Sequence, residues 1–420
     1  MTMTYRDGKF KLLKLQMTAP AGRTIVFSNQ VAKLEIYESI LEPTVIAEFT
    51  IADRIGIFNN FNFKEQTISV EFTTYEDNDK ASVKYDFIPI KVDPAVSTND
   101  DKAVVYKVTC VTKEAVKATQ IKNVPLVKKM TESESVINAM LNLVETDKDR
   151  FLEKTRGLHA FNIGGMTPFQ AIDEARQKAM STKYNSHCFV FFENSKGFNF
   201  KCIESLIEDG LTKIGDKYYT QIPLANATTT GSAWRNILGL KVIQIGNEDV
   251  TRAIGGGKVL IKSKNMITGK ITDYDTDPSK IGFVTLNKDS VSQSGTTQKE
   301  LSKDEGRIEL VRFDPETETE DPAEAKMNRT YFMANFLNTI CYITVHGDST
   351  VTVGDVITCD IKEHNSLTKS DASPAKEDNR MLNGNYLVTK VKHILTFNEN
   401  AGYVQALEIV KDGLGGTTTK

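Results

Sequence analysis

The residues able to do chemistry are thinly spread along this chain. Its five histidines, His159, His187, His346, His364 and His393, stand far apart. No HExxH or comparable spacing sets two imidazoles on one helical face. The five cysteines, Cys110, Cys188, Cys202, Cys341 and Cys359, lie mostly within apolar runs, and no two have metal-site spacing. Reduced core thiols fit that placement better than a disulfide framework. A Cys/His nucleophile would require folding to bring Cys359 to His346 or His393, yet alternation around these residues reads as ordinary strands. There is no GxSxG elbow. Carboxylate pairs can always be drawn from 55 acidic residues, but none sits in a recognisable cleft motif.

Two short motifs come close to a site and miss it. Asp273, Asp275 and Asp277 have the odd-position spacing that opens a calcium loop. Pro278 then stands where glycine must turn, and Val284 where a bidentate glutamate is required. An acidic turn between strands accounts for them. Gly255-Gly256-Gly257-Lys258 is similar to a phosphate loop, but Arg252 replaces the first glycine and Val259 the hydroxyl residue. A flexible strand entry is the simpler account. Trp234, the single tryptophan, reads as packing before sugar stacking. The expectation is a protein without catalytic residues, metal or cofactor.

Composition agrees. A 40% hydrophobic and 25% charged chain of 420 residues can bury two to four cores. A net charge of −3, with basic runs as short as Lys128-Lys129, lacks the clustered cations that phosphate binding needs. Specific nucleic-acid recognition is not expected. The N-terminal segment has no signal-like apolar stretch and no run reaches membrane-spanning length, so neither secretion nor membrane insertion is expected, and folding in a reducing cytoplasm is.

The elements are legible from period. Residues 338–410 contain four alternating segments, NTICYITVHG, STVTVGDVITCDI, NYLVTKVKHILTF and AGYVQALEIV, which predict strands with one buried side. Residues 11–17, 31–37, 45–51, 67–75, 82–90 and 104–112 predict a comparable opening set, for which a small barrel removes the exposed edges. Between them lie helical signals. Thr131-Glu-Ser-Glu134 matches a capping box ahead of Val136, Ile137, Met140, Leu141 and Val144. Thr167-Pro168-Phe169-Gln170 is a firmer one, with Pro168 suited to the first turn. A hairpin follows over 187–192 and 197–203. Asp321-Pro322-Ala323-Glu324 opens a helix that should hold Met327, Tyr331, Ala334, Phe336 and Leu337. The polar loop 363–380 is longer than a hairpin needs and reads either as surface loop or as a contact arm through Lys369, Asp371, Lys376 and Asp378.

The fold class expected is mainly β with α+β: two small antiparallel β-barrels, the second discontinuous, a mixed α+β middle, and a helical and looped insertion. The boundaries are 1–122 for the first barrel, 123–231 for the α+β part, 232–262 with 337–411 for the second barrel, 263–336 for the insertion, and 412–420 for a flexible tail.

Several segments together resemble the baseplate central hub of contractile-tailed, T-even-type bacteriophages. They are EPTVIAEFTIADRIGIFNNF, MTPFQAIDEARQKA followed by SHCFVFFENSKGFNFKCIESL, and ITVHGDSTVTVGDVITCDI with NYLVTKVKHILTF. The FVFFEN-x-x-GFNF hairpin after the TPFQAI helix is the most specific. The resemblance implies a non-enzymatic homotrimer whose two barrels per subunit present six to a sixfold tail tube. It implies as partners a tail-tube initiator protein, a spike or tail-lysozyme-like protein and the tape-measure protein, in the baseplate of a virion assembled in the host cytoplasm. A lumen neutral or acidic enough to let DNA pass is a corollary. The competing reading is a phage-borne or secreted protein that degrades or binds cell-wall glycan. A third is the spike of type VI secretion, ranked lower because the sequence ends at Lys420 without a glycine-repeated β-helix.

Overall fold

A computed structural model describes residues 8–20, 22–57, 66–74, 81–93, 96–97, 104–122, 124, 127–215, 217–221, 233–245, 259–275, 284–287, 307–337, 339–361, 382–397 and 401–412. The opening strands are β1 (Lys11–Thr18), β2 (Thr24–Val26), β3 (Val31–Ser39), β4 (Ile46–Asp53), β5 (Thr67–Thr73), β6 (Val83–Val92), β7 (Val96–Ser97) and β8 (Val104–Thr112). Their burial follows their alternation. In β4, Ala47, Phe49 and Ile51 are buried while Ile46, Glu48 and Thr50 face outward. Each large apolar side chain removed from water contributes about 1.5–3 kcal/mol, which is why one face is specified so firmly. Phe27, Phe49, Phe72 and Phe87 fill the resulting core.

Helix α1 (Lys113–Gln120) leaves β8 without a connecting loop. Thr112 stands at its N-cap position but makes no capping bond. Its hydroxyl donates instead to Glu193 Oε2, at 2.7 Å. With the local cap signal diverted to a tertiary contact, sequence pattern does not announce this helix.

The middle of the chain holds β9 (Val127–Thr131), α2 (Ser133–Val144), β10 (Arg150–Leu152), β11 (Thr155–Arg156), β12 (His159–Phe161), α3 (Pro168–Lys178), β13 (Met180–Ser181), β14 (Phe189–Asn194), β15 (Gly197–Cys202), α4 (Ile203–Thr212) and β16 (Tyr218–Thr220). The Thr167 box forms as expected: Gln170 N donates to Thr167 Oγ1 at 3.4 Å, and Thr167 N donates to Gln170 Oε1 at 2.9 Å. The Thr131 box does not form. Thr131 is held in β9 opposite His159, so the N-cap position falls on Glu132, without a side-chain cap. Glu134 accepts instead from Thr155 N at 3.1 Å. The inner stripe of α2 is buried nonetheless. The β14–β15 hairpin stacks Phe189 on Phe200 with centroids 4.6 Å apart. Its turn needs Gly197, whose φ is +138° and whose position would put a Cβ 2.3 Å from Asp149 O.

The remaining elements are β17 (Ile237–Ile245), β18 (Val259–Asn265), β19 (Ile271–Asp275), β20 (Arg307–Phe313), α5 (Ala323–Phe336), β21 (Thr339–His346), β22 (Val356–Asp360), β23 (Gly384–Thr396) and β24 (Gly402–Lys411). Strands β19, β18 and β20 make a small separate sheet on which α5 packs through Ala323 and Met327. Asp321 Oδ1 accepts from Ala323 N at 3.0 Å, one position before the N-cap, and the helix stops at Phe336, leaving Leu337 as C-cap.

Opening and closing strands share one 14-stranded sheet, whose main path runs β17-β21-β24-β23-β3-β4-β8-β6-β5-β1-β2. The join is an antiparallel pairing of β23 with β3, from Lys390 opposite Ser39 to Thr396 opposite Lys33. The mainly-β class with α+β elements is therefore present. No pairing among the described residues closes the opening or the closing set into a barrel of its own. The sheet curls back instead: Tyr403 N donates to Gly8 O at 2.5 Å, and Phe10 packs edge-on against Phe397 and Tyr403.

Candidate functional site

The most concentrated polar chemistry lies at the seam where β23 meets β3. Glu38, on β3, is buried and bonded by Tyr85, Thr352, His393 and the Val353 backbone N–H. Tyr85 Oη donates to its Oε1 at 2.6 Å, and Thr352 Oγ1 to its Oε2 at 2.5 Å. His393 Nε2 stands 3.3 Å from Oε1, and His393 Nδ1 is 2.7 Å from the Tyr403 hydroxyl. Burial alone would raise the Glu38 carboxyl, but His393, Thr352 and Tyr85 more than offset it, and the net direction is down. Burial and the Glu38 charge drive the Tyr85 hydroxyl the other way, far above its ordinary value.

The loop between β21 and β22 locks onto this group. Asp348 N donates to Gln405 Oε1 at 2.9 Å, Gln405 Nε2 to Val351 O at 3.2 Å, and Ser349 N to Thr74 Oγ1 at 3.1 Å. Gly347 makes the approach possible, since a Cβ there would lie 2.1 Å from Tyr403 Cδ1. A Tyr–His–Glu chain has the parts of a proton relay. Here every member is buried, His393 and Tyr403 completely, so no substrate reaches it. The arrangement fastens the opening strands to the closing ones.

A second buried group joins the opening strands to the α+β part. Lys148 Nζ lies 2.8 Å from Glu114 Oε2 and also binds Glu193, whose other oxygen accepts from Thr112. Burial opposes the Lys148 charge, yet the two carboxylates hold its pKa above the ordinary value. Glu193 is pushed up by burial, with Lys148 acting against it. A third group pins residues 284–287 across β23. Leu286 N donates to Asp412 Oδ2 at 2.8 Å, and Asn385 N to Asn287 Oδ1 at 2.8 Å.

The outward face of the same sheet carries an alternating lattice of charge. Glu35 Oε1 sits 2.8 Å from Lys33 and 2.7 Å from Lys392; Glu48 is 3.2 Å from Lys107; Glu408 is 2.9 Å from Lys390. The lysine ends stand in solvent while Glu35 is buried beneath them, and pairs screened by water at one end each contribute about 0–1 kcal/mol, so they shape potential more than stability. At the end of the path, β17 pairs only with β21 among the described residues and leaves Leu238, Val242 and Ile243 exposed.

The candidate residues read from sequence fall as follows. Lys369, Asp371, Lys376 and Asp378, with the rest of the loop to Arg380, lie outside the described residues, as do Gly255 to Lys258, Asp277 and Pro278. Asp273 and Asp275 are in β19, with Asp273 3.7 Å from Lys262. Cys359 and Cys341 are buried, and burial raises both thiols, Cys341 to about 11. His393 is engaged by Glu38 and Tyr403. Trp234 is partly buried beneath the Arg235 guanidinium, 4.5 Å from the ring centroid. The seam itself was missed by sequence reading, because its members lie on five separate stretches of chain.

No family model matches the chain, and no curated protein matches it in sequence. Solved structures do. The tail protein from Neisseria meningitidis MC58 matches over 97% of this chain and 98% of its own, with 10% identity and a TM-score of 0.58. The 43 kDa tail protein of prophage MuSo2 from Shewanella oneidensis matches over 96% and 98%, with 11% identity and a TM-score of 0.49. The E. coli c3393 protein, a type VI secretion component described as structurally similar to the T4 tail proteins gp27 and gp5, matches over 97% of this chain and 79% of its own, with 12% identity and a TM-score of 0.42. The first establishes a fold shared along nearly the whole chain.

Proposed function

We propose that this chain is a non-enzymatic structural hub of a phage tail baseplate, a homotrimeric ring that adapts a sixfold tail tube to a threefold spike. The observation that carries this reading is the fold shared end to end with the Neisseria tail protein. Two features of the chain support it. The opening strands β1 to β8 and the closing strands β17 and β21 to β24 are fused through β3 and β23 into one sheet, while residues 259–262 lie apart in β18; in this reading the two strand sets are the rim-forming modules. Among the described residues that sheet ends at β17, an edge with three exposed apolar side chains and a single exposed charge, Lys241. A head-to-tail contact at such an edge closes a ring when the rotation is right.

In this reading the tube-initiating protein sits on one side of the ring, the spike or tail-lysozyme-like protein on the other, and the tape-measure protein reaches the lumen. The paired charges of the outward sheet face suit a surface that DNA passes without sticking. The contact arm around Lys369, Asp371, Lys376 and Asp378 belongs to the same proposal.

Native mass spectrometry of the full chain, alone and with its spike neighbour, is expected to give a trimer. Monomer under both conditions at high concentration, or a clear band on peptidoglycan zymography, sinks the proposal.

A further inference from the structure

A solvent-facing cleft opens where the β14–β15 turn, the second half of α4 and the lead into β22 converge. Its volume is about 130 Å³. An apolar cavity of ~150 Å³ is known to hold benzene, so this smaller, open cleft takes one branched aliphatic side chain or the edge of a ring. The floor is apolar: Phe192 is fully buried, and Leu206, Val353 and Val356 are nearly so. Phe151 of β10 also lines the cleft and is 40% exposed. Close packing shapes the space, since a Cβ on Gly210 would lie 2.3 Å from Val356 Cγ2.

Charge surrounds this floor unevenly. Among the described residues, Lys196, Lys201, Lys213 and Lys217 line the cleft with only Asp209 and Asp355, a local excess of two positive charges on a chain whose net charge is −3. Lys217 is 2.7 Å and Lys196 3.6 Å from Asp355, and Lys201 is 2.5 Å from Asp209. Lys213 is exposed and has no carboxylate partner among the described residues.

We propose that this cleft docks an acidic peptide segment of a partner protein. One apolar side chain enters beside Phe151 and Leu206, and flanking carboxylates meet Lys213, Lys196 and Lys201. A desolvated apolar anchor ringed by complementary charge is the usual anatomy of a protein interface. Nucleic acid would bring phosphates but no aliphatic side chain for the apolar floor, and Phe151 alone offers one accessible ring where strand binding stacks successive bases. The inference rests on the cleft alone and is independent of the ring.

Selection of a displayed random dodecapeptide library on the full chain should enrich sequences with Asp or Glu beside Leu, Ile or Phe. A labelled synthetic peptide of the enriched sequence should bind in fluorescence anisotropy, more weakly as salt rises. Lys213→Glu and Lys196→Glu should each weaken it about tenfold, with circular dichroism melts matching the parent chain. Enrichment of neutral or basic peptides overturns the proposal. So does an affinity in both variants equal to the parent chain's, or tighter binding of a single-stranded oligonucleotide that these variants abolish.

Discussion

Glu38 Oε1 and His393 Nε2 lie 3.3 Å apart, although 355 positions separate them in the chain. The contact closes the seam between β3 and β23 from the inside, with Tyr85, Thr352 and Tyr403 completing it. Removing one partner of a buried, hydrogen-bonded charge strands the others in a dry interior. Glu38→Ala is therefore expected to cost about 3 kcal/mol or more. Glu38→Gln, which keeps one acceptor, should cost less. Urea denaturation of the full chain measures both, and an unchanged midpoint for Glu38→Ala refutes the assignment.

Acid should weaken the α+β part before it touches the sheet. Burial, then the Lys178 charge, lowers the His159 pKa to about 4. Burial and Lys326 lower His187 to about 3, with a backbone contact at Ala179 opposing. The folded chain keeps both rings neutral, while the unfolded chain takes up protons near 6.5. Their contribution is thus intact above about pH 6.5 and lost as pH falls toward the folded values, at about 1.4 kcal/mol per pH unit for each histidine. Melting temperature measured from pH 7 to pH 4 should fall, and His159→Leu should flatten the slope. A variant with the parent's slope rules this out.

Among the described residues, Lys148 is the one cation bridging the two buried carboxylates Glu114 and Glu193. Lys148→Met is expected to destabilise by about 3–5 kcal/mol, since Glu114 and Glu193 are left unpaired. Adding Glu193→Gln should recover part of the loss, because it removes one of the stranded charges. A double-mutant cycle by denaturant melts reads the coupling; strict additivity would show that the three groups do not act together.

Gly347 is required by space. Alanine there would drive a methyl group into the ring of Tyr403, with Cε1 and Cγ both 2.3 Å away. Gly347→Ala should cost about 1–3 kcal/mol as an overpacked site, and Tyr403→Leu in the same chain should relieve the clash while losing the hydroxyl partner of His393. Thermal melts of the single and double variants distinguish relief from simple addition.

The apolar edge of β17 gives the ring proposal a surface. Val242→Lys with Ile243→Lys should leave the monomer fold intact, both side chains being exposed, and shift the trimer expected in sedimentation toward monomer. If the trimer forms and these charges leave it untouched, the subunit contact lies elsewhere.

Local signals were readable where neighbours in sequence satisfy one another. The Thr167–Gln170 box and the Asn194–Gly197 turn each close within four residues, so pattern alone locates α3 and the β14–β15 hairpin. Helices α1 and α4 were not readable. Each springs directly from a strand, at Thr112 and Cys202, with no side-chain cap to mark the change. Thr131 misled for the opposite reason, offering a cap signal that pairing with His159 had already claimed.

Period-two alternation dictated which side chains of β3, β4, β23 and β24 would share a buried face, because burial of apolar area rewards that choice strand by strand. It carried no information about which strand would lie beside which. The neighbour of β3 is β23 because the folded sheet offers an edge there, and because Glu38 meets His393 only in that pairing. Contacts hundreds of residues apart are chosen by three-dimensional packing, and it is packing that turned two separate runs of strands into a single sheet.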